Sequence, residues 1–199
     1  MMKPFLVWLR QCGLALHPLA LVLLVIFLNV FWTLTLRAFG GSFQRVAGAP
    51  LLDLENVRGV LAPREALELL QGYGTEAQAL YWTFFALDSV VPLLSFGSYA
   101  LLWAFLLARS PWPRSQRLAR SPLLLVPFGV GVFDIGENLF FVSALASSSS
   151  SEALGLVTAG LVLVYAKAAC LLMTFLGTLI LTAAYGAGRI VQIRRTAHA

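Results

Sequence analysis

The sequence predicts an all-α fold: a polytopic membrane protein built as a four-transmembrane-helix bundle, with a short amphipathic helix in the first outer loop. Three observations predict it. Of the 199 residues, 59% are hydrophobic and only 12% are charged, against roughly 45–50% and 25% in soluble domains. The mean hydropathy is +0.84. Four segments reach the length of about 20 apolar residues that a bilayer requires. A soluble enzyme and a disordered chain are excluded, because too few charged groups are present to cover a soluble surface.

The predicted spans form one membrane domain over residues 1–199, and they cover about 14–36, 80–108, 122–146 and 154–187. Apolar runs of this length are helical in lipid, because a helix satisfies its own backbone hydrogen bonds. Pro18 lies near the start of the first span, where a helix accepts proline. That span is too long for the apolar core of a signal peptide, so we interpret it as a retained helix.

The outer loop, residues 37–79, contains the predicted amphipathic helix. The stretch from Ala62 to Leu70 places Pro63 in a first helical turn and Glu65 near the helix N-terminus, and Gly72 and Gly74 follow as a stop. Leucines fall on one side and charges on the other. This helix is expected to lie on the outer face of the bundle, either as a lid over a cavity or packed onto its neighbours.

The distribution of charge predicts the orientation. Nine basic residues and no Asp or Glu occur in the N-terminal end, the 109–121 loop and the tail: Lys3, Arg10, Arg109, Arg114, Arg117, Arg120, Arg189, Arg194 and Arg195. By contrast, 37–79 holds four Arg with Asp53, Glu55, Glu65, Glu68 and Glu76. Both termini are therefore expected in the cytoplasm, with the protein in the inner membrane. The same rule explains the sequence pI of about 9.7, so membrane lipids are the expected partners and nucleic acid is not.

Four ionisable residues lie inside the predicted spans: Asp88, Asp134, Glu137 and Lys167. Unpaired, they would oppose insertion by about 10–14 kcal/mol in total. Their depths, at about 1.5 Å per helical residue, place them in one layer of the outer half of the membrane. We therefore expect them to pair or to line a cavity.

Helical phase adds to this prediction. Asp134, Glu137 and Asn138 are spaced i, i+3 and i+4 and share one face of the third span. Asn29 of the first span has a comparable depth. The candidate ligand-binding residues are Asn29, Asp88, Asp134, Glu137, Asn138 and Lys167. Lys167 is expected to pair with Glu137 or Asp134, and these three are the candidate catalytic residues.

Three carboxylates face one ammonium, which is untenable in a low dielectric if all are ionised. We expect either that Asp134 or Glu137 is protonated, or that a cationic ligand completes the site. No metal and no cofactor are expected, because the layer contains no His or Cys and the sequence has no cofactor fingerprint.

The motifs P-R-E-A (63–66), G-Y-G (72–74), D-S-V-V-P (88–92) and F-D-I-G-E-N-L (133–139), followed by a lysine in the last span, resemble those of a group of small bacterial four-helix membrane proteins without an established activity. The similarity covers about residues 60–170. It implies the topology and marks Asp88, Pro92, Asp134, Glu137 and Asn138 as hallmark positions. The layout is also loosely similar to that of sterol-isomerase and sigma-2-receptor-type proteins, as an analogy of fold alone.

Several functions remain open at this stage. The first is a buried acid/lysine site that opens to the extracytoplasmic side and binds or transfers a small lipophilic or cationic ligand. The second is a lipid- or isoprenoid-modifying enzyme that uses a carboxylic acid as proton donor. The others are a proton-coupled transporter, which would need a homo-oligomer, and a structural or assembly subunit.

Overall fold

The fold is a helical membrane bundle, described here from a computed structural model that covers residues 2–52 and 62–197, with side chains through 194. Its helices are α1 (Met2–Ala15), α2 (Pro18–Ala47), α3 (Pro63–Gln71), α4 (Thr75–Arg109), α5 (Pro113–Leu118), α6 (Val126–Ala146) and α7 (Ser150–Ala197). A 3-10 turn, Pro122–Leu125, leads into α6. Asp53, Glu55 and Arg58 of the predicted outer loop lie outside the described residues. The predicted all-α class is confirmed.

Four helical segments are long and apolar enough to cross a membrane: Pro18–Ala47, Thr75–Arg109, Pro122–Ala146 and Ser150–Arg194. They correspond to the four predicted spans, and the third has the predicted bounds. α4 is the central helix and packs against α1, α2, α6 and α7. Helix α1, the last turns of α7 and the 110–121 connection lie at one end of the bundle, called the termini end below. The opposite end, which carries α3, is called the α3 end.

The predicted start of the first span was wrong. The helix is interrupted at His17, and α2 begins at Pro18. Proline is tolerated in a first helical turn, because the N–H that it lacks would have no hydrogen-bond partner within the helix there. His17 Nδ1 accepts a hydrogen bond from the Leu19 N–H at 3.3 Å. The preceding residues form the separate helix α1, which buries Leu6 and Leu9 against the termini-end half of α4 and leaves Trp8 exposed.

α2 also continues to Ala47, eleven residues beyond the predicted end of the first span at residue 36. Two consecutive glycines at 40 and 41 predict a break. Packing outweighs this preference, since Leu36 and Phe43 are both buried in the same apolar cluster. The helix ends at Gly48, which adopts φ 65° and donates its N–H to Gln44.

The short amphipathic helix predicted between the first two spans is confirmed as α3. Pro63 occupies its first turn, and Glu65 Oε2 accepts a hydrogen bond from the Ala62 N–H at 3.0 Å. Ala66, Leu67 and Leu70 are buried against the ends of α6 and α7. Of the two alternatives left open, packing onto neighbouring helices is the one observed.

Tyr73 secures the segment that follows α2. Its buried hydroxyl donates to the Pro50 carbonyl at 2.7 Å and accepts from the Leu52 N–H at 2.9 Å. Burial raises the pKa of Tyr73 well above its ordinary value, so the phenol stays protonated and keeps donating throughout the physiological range.

Tyr73→Phe should therefore destabilise the α3 end by about 1–3 kcal/mol, because the buried Leu52 N–H and the Pro50 carbonyl both lose their partner. Amide hydrogen exchange at Leu52 measures the local loss of stability. Tyr165→Phe is the control, since Tyr165 is 53% exposed. Unchanged protection at Leu52 in Tyr73→Phe would contradict the assignment.

Candidate functional site

The centre of the site is an ion-paired triad formed by α6 and α7. Lys167 Nζ lies 2.7 Å from Asp134 Oδ1 and 2.5 Å from Glu137 Oε1. Asp134 and Glu137 are one helical turn apart on α6, so both carboxylates point at the same place on α7. All three residues are buried, with exposures of 7%, 4% and 1% for Lys167, Asp134 and Glu137. The predicted pairing of Lys167 with one acid is thus found with both.

A second polar pair joins α4 to α6. Asn138 Nδ2 donates to Asp88 Oδ2 at 2.5 Å, and both residues are 2% exposed. Asn138 follows Glu137 directly in sequence, so one turn of α6 holds Lys167 of α7 and Asp88 of α4 together. The ionisable residues of the three spans therefore meet in one buried layer, as helical depth and phase predict.

A cavity of about 140 Å³ lies beside this layer. Its polar wall consists of Asp88, Asp134, Lys167 and two residues of α2, Asn29 and Thr33. Its apolar wall includes the rings of Trp32, Phe96 and Phe175, together with Pro92. Glu137 and Asn138 are not lining residues; they support Lys167 and Asp88 from behind.

The α3 side of the cavity is filled with apolar side chains. Three apolar residues lie one helical turn nearer to the α3 end than the polar residues of their own helices. They are Phe84, one turn from Asp88 in α4, Phe141, one turn from Glu137 in α6, and Leu36, one turn from Thr33 in α2. Their exposures are 1–3%. The Trp32 ring, part of the cavity wall, stacks on Phe84 with centroids 6.4 Å apart. An access route through the α3 end would have to pass this cluster.

The side of the cavity between α2 and α7 is different. α2 packs against α4, and α7 packs against α6 and α4, whereas the backbones of α2 and α7 come close to each other at few points or none over the described residues. The two helices meet through side chains, since Leu171 and Tyr185 of α7 pack against the apolar cluster that holds Leu21 and Val25 of α2. Thr33 of α2 and Phe175 of α7 line the cavity and are also exposed on the flank of the bundle. The cavity is therefore nearest to the surrounding bilayer at this flank.

The six predicted site residues have distinct positions. Asp88, Asp134 and Lys167 line the cavity directly, whereas Glu137 and Asn138 form the layer behind it. Asn29 lines the cavity, and its Nδ2 donates to the Val25 carbonyl one turn earlier in α2 at 2.7 Å. Its amide donor is thus engaged within its own helix.

Sequence reasoning missed the apolar wall, although a signal for it was present. Phe96 is two turns from Asp88 along α4, and Phe175 is two turns from Lys167 along α7. Trp32 is three residues from Asn29 in α2. Each missed residue shares a helical stripe with a polar residue that was identified.

The chemistry of the site follows from its charges. Asp134 and Glu137 share a single ammonium, and Asp88 receives a neutral amide from Asn138. The cavity wall thus presents acidic oxygens next to aromatic rings, an arrangement that favours a cation with an apolar body. In the described parts of the chain, no group of three or more His, Cys, Asp or Glu side chains is placed to hold a metal ion.

Comparisons with family models, with curated proteins and with solved structures found no match to this chain.

Proposed function

We propose that this membrane protein binds an amphiphilic amine, with the ammonium group in the cavity beside Asp88 and Asp134. The observation that carries the proposal is the composition of the cavity wall: two carboxylates from different helices, together with Lys167, Asn29 and Thr33, face a space whose other walls are aromatic and aliphatic side chains. Glu137 contacts Lys167 from behind this wall, so the layer holds three carboxylates and one ammonium. Carboxylates stabilise a buried cation through charge-assisted hydrogen bonds, and aromatic faces add cation–π attraction.

The size of the cavity limits what fits inside it. A cavity of about 150 Å³ holds a molecule the size of benzene, whereas sites that enclose a drug-sized ligand measure about 300–1,000 Å³. The 140 Å³ found here therefore suits an amine headgroup and not a whole amphiphile. The lipophilic tail has to extend outside the cavity.

We infer that the tail leaves between α2 and α7. The backbones of those two helices come close to each other at few points or none over the described residues, so side chains alone close this flank, whereas the opposite route is filled by the buried Phe84, Phe141 and Leu36. The ligand would accordingly enter sideways from the bilayer, in place of the extracytoplasmic opening that the sequence predicts. The exposed apolar residues beside this flank, such as Ile26 and Leu172, are compatible with a hydrocarbon chain.

Asp88→Asn should weaken amine binding by about 10–100-fold, the equivalent of one charge-assisted hydrogen bond of about 1.5–3 kcal/mol. The substitution keeps an oxygen that accepts from Asn138, so the fold is expected to persist. Binding is measured as the rise in melting temperature of the full-length protein in phosphatidylcholine nanodiscs on titration with N,N-dimethyldodecylamine.

Dodecanol tests whether charge matters, since it has the same chain without the cation. Glu76→Gln is the matched control variant, because Glu76 is an exposed carboxylate at the start of α4. Wild-type protein and Glu76→Gln should respond to the amine and not to dodecanol. The proposal fails if Asp88→Asn binds the amine as tightly as the wild type does, or if dodecanol stabilises equally well.

A further inference from the structure

A second cavity, of about 430 Å³, lies at the termini end, far from the acid/lysine layer. Three parts of the chain line it: the elbow between α1 and α2, the last turns of α4, and α7. Its polar groups are Arg109 of α4, Arg189 and Tyr185 of α7, and His17 of the elbow. Two guanidinium groups from helices that are distant in sequence therefore border one concave space.

None of the residues that line this cavity is acidic, and the described stretches 2–52, 89–133 and 153–197, to which they belong, contain no Asp or Glu. The lining therefore supplies two positive charges and no acidic side chain, which favours an anion as the ligand. Paired guanidinium groups suit a phosphate in particular, because their planar donors match its oxygens in a bidentate arrangement.

The rest of the lining indicates what the phosphate is attached to. Leu14, Leu16 and Phe105 form an apolar side of the same cavity, and Leu16 is 40% exposed. Leu19 and Ile190, which follow the lining residues Pro18 and Arg189 in sequence, are also exposed apolar side chains. The cavity therefore has arginines on one side and apolar groups on the other. A phospholipid fits both sides, because its phosphate would lie beside the arginines and its acyl chains beside the apolar groups.

We propose that the cavity bordered by Arg109 and Arg189 is a specific site for an anionic phospholipid, with the lipid phosphate held between the two guanidinium groups. This site is separate from the amine site and does not depend on it. Basic residues at this end already fit the general preference for cationic segments beside anionic membranes. The proposal goes further, because it assigns one lipid to two particular arginines among the nine basic residues of the termini end.

The test compares two double variants that remove the same charge. Arg109→Gln/Arg189→Gln removes the proposed phosphate ligands, whereas Arg114→Gln/Arg117→Gln removes two exposed arginines of the nearby helix α5. Full-length protein in phosphatidylcholine nanodiscs is titrated with phosphatidylglycerol, and bound lipid is counted by native mass spectrometry and by the shift in melting temperature. Inorganic phosphate is titrated in parallel.

Wild-type protein should bind phosphatidylglycerol in preference to phosphatidylcholine, and inorganic phosphate should give no comparable stabilisation. Arg109→Gln/Arg189→Gln should lose at least about tenfold in affinity, and Arg114→Gln/Arg117→Gln should stay within about twofold, since general surface attraction is spread over many charges. Arg109→Lys/Arg189→Lys should lie in between, because lysine keeps the charge without the bidentate geometry. Equal losses in the two Gln variants would overturn the proposal, as would saturation of the same site by inorganic phosphate.

Discussion

Lys167→Met should lower the free energy of unfolding by about 3–5 kcal/mol, the usual cost of removing one partner from a buried ion pair. The side chain keeps nearly the same length, so packing changes little. The loss arises because Asp134 and Glu137, at 4% and 1% exposure, are deprived of the ammonium that lies 2.7 and 2.5 Å from them. Unfolding in a mixed-detergent titration measures the change.

Neutralising the whole triad should recover most of the stability that Lys167→Met loses. Lys167→Met combined with Asp134→Asn and Glu137→Gln leaves no buried charge, and buried ion pairs replaced as a unit are often neutral or stabilising. Lys3→Met is the control for loss of a lysine, because Lys3 is exposed in α1 and is the other lysine of the chain. Its effect should be within about 0.5 kcal/mol.

Two results would contradict this account of the triad. The first is a single variant Lys167→Met that is as stable as the triple variant, which would mean that the carboxylates do not depend on the ammonium. The second is a triple variant that loses as much stability as Lys167→Met, which would assign the effect to packing at position 167.

The triad could be predicted because depth and helical phase are properties of a single sequence. Asp134 and Glu137 are three residues apart, so a helix necessarily puts them on one face. Lys167 is the one Lys or Arg within the predicted spans. The pairing of Asn138 with Asp88 could not be derived in the same way. It depends on the rotation of α4 relative to α6, which no periodicity in an almost wholly apolar helix specifies.

The errors in the first span have a related origin. A continuous apolar run predicts a span but does not locate its ends. The break at His17 and the continuation to Ala47 both depend on packing: α1 turns away to bury Leu9 against α4, and α2 extends to bury Phe43 at the α3 end. The apolar wall of the cavity was missed for a different reason. Phe96 and Phe175 share helical stripes with Asp88 and Lys167, but the sequence of an apolar span does not reveal whether an aromatic side chain faces a cavity or lipid.

Gly131→Ala should destabilise the protein by about 1–3 kcal/mol through overpacking, although alanine is the better helix former by about 1 kcal/mol. A Cβ at position 131 would lie 2.8 Å from Leu93 Cδ2 and 3.1 Å from Leu93 Cα. The second contact involves backbone, so rotation of the leucine side chain alone cannot relieve it. α6 and α4 would have to move apart.

Gly186→Ala provides the matched comparison within α7, because nothing lies within 4 Å of its Cβ position. This variant should keep or slightly gain stability. The two Gly→Ala substitutions are therefore expected to change the free energy of unfolding in opposite directions in the same assay. Gly131→Ala should also weaken binding of dimethyldodecylamine, because separating α4 from α6 moves Asp88 away from both Asn138 and Asp134. If Gly131→Ala proves as stable as Gly186→Ala, the close α4–α6 contact is not what holds the two halves of the acid layer together.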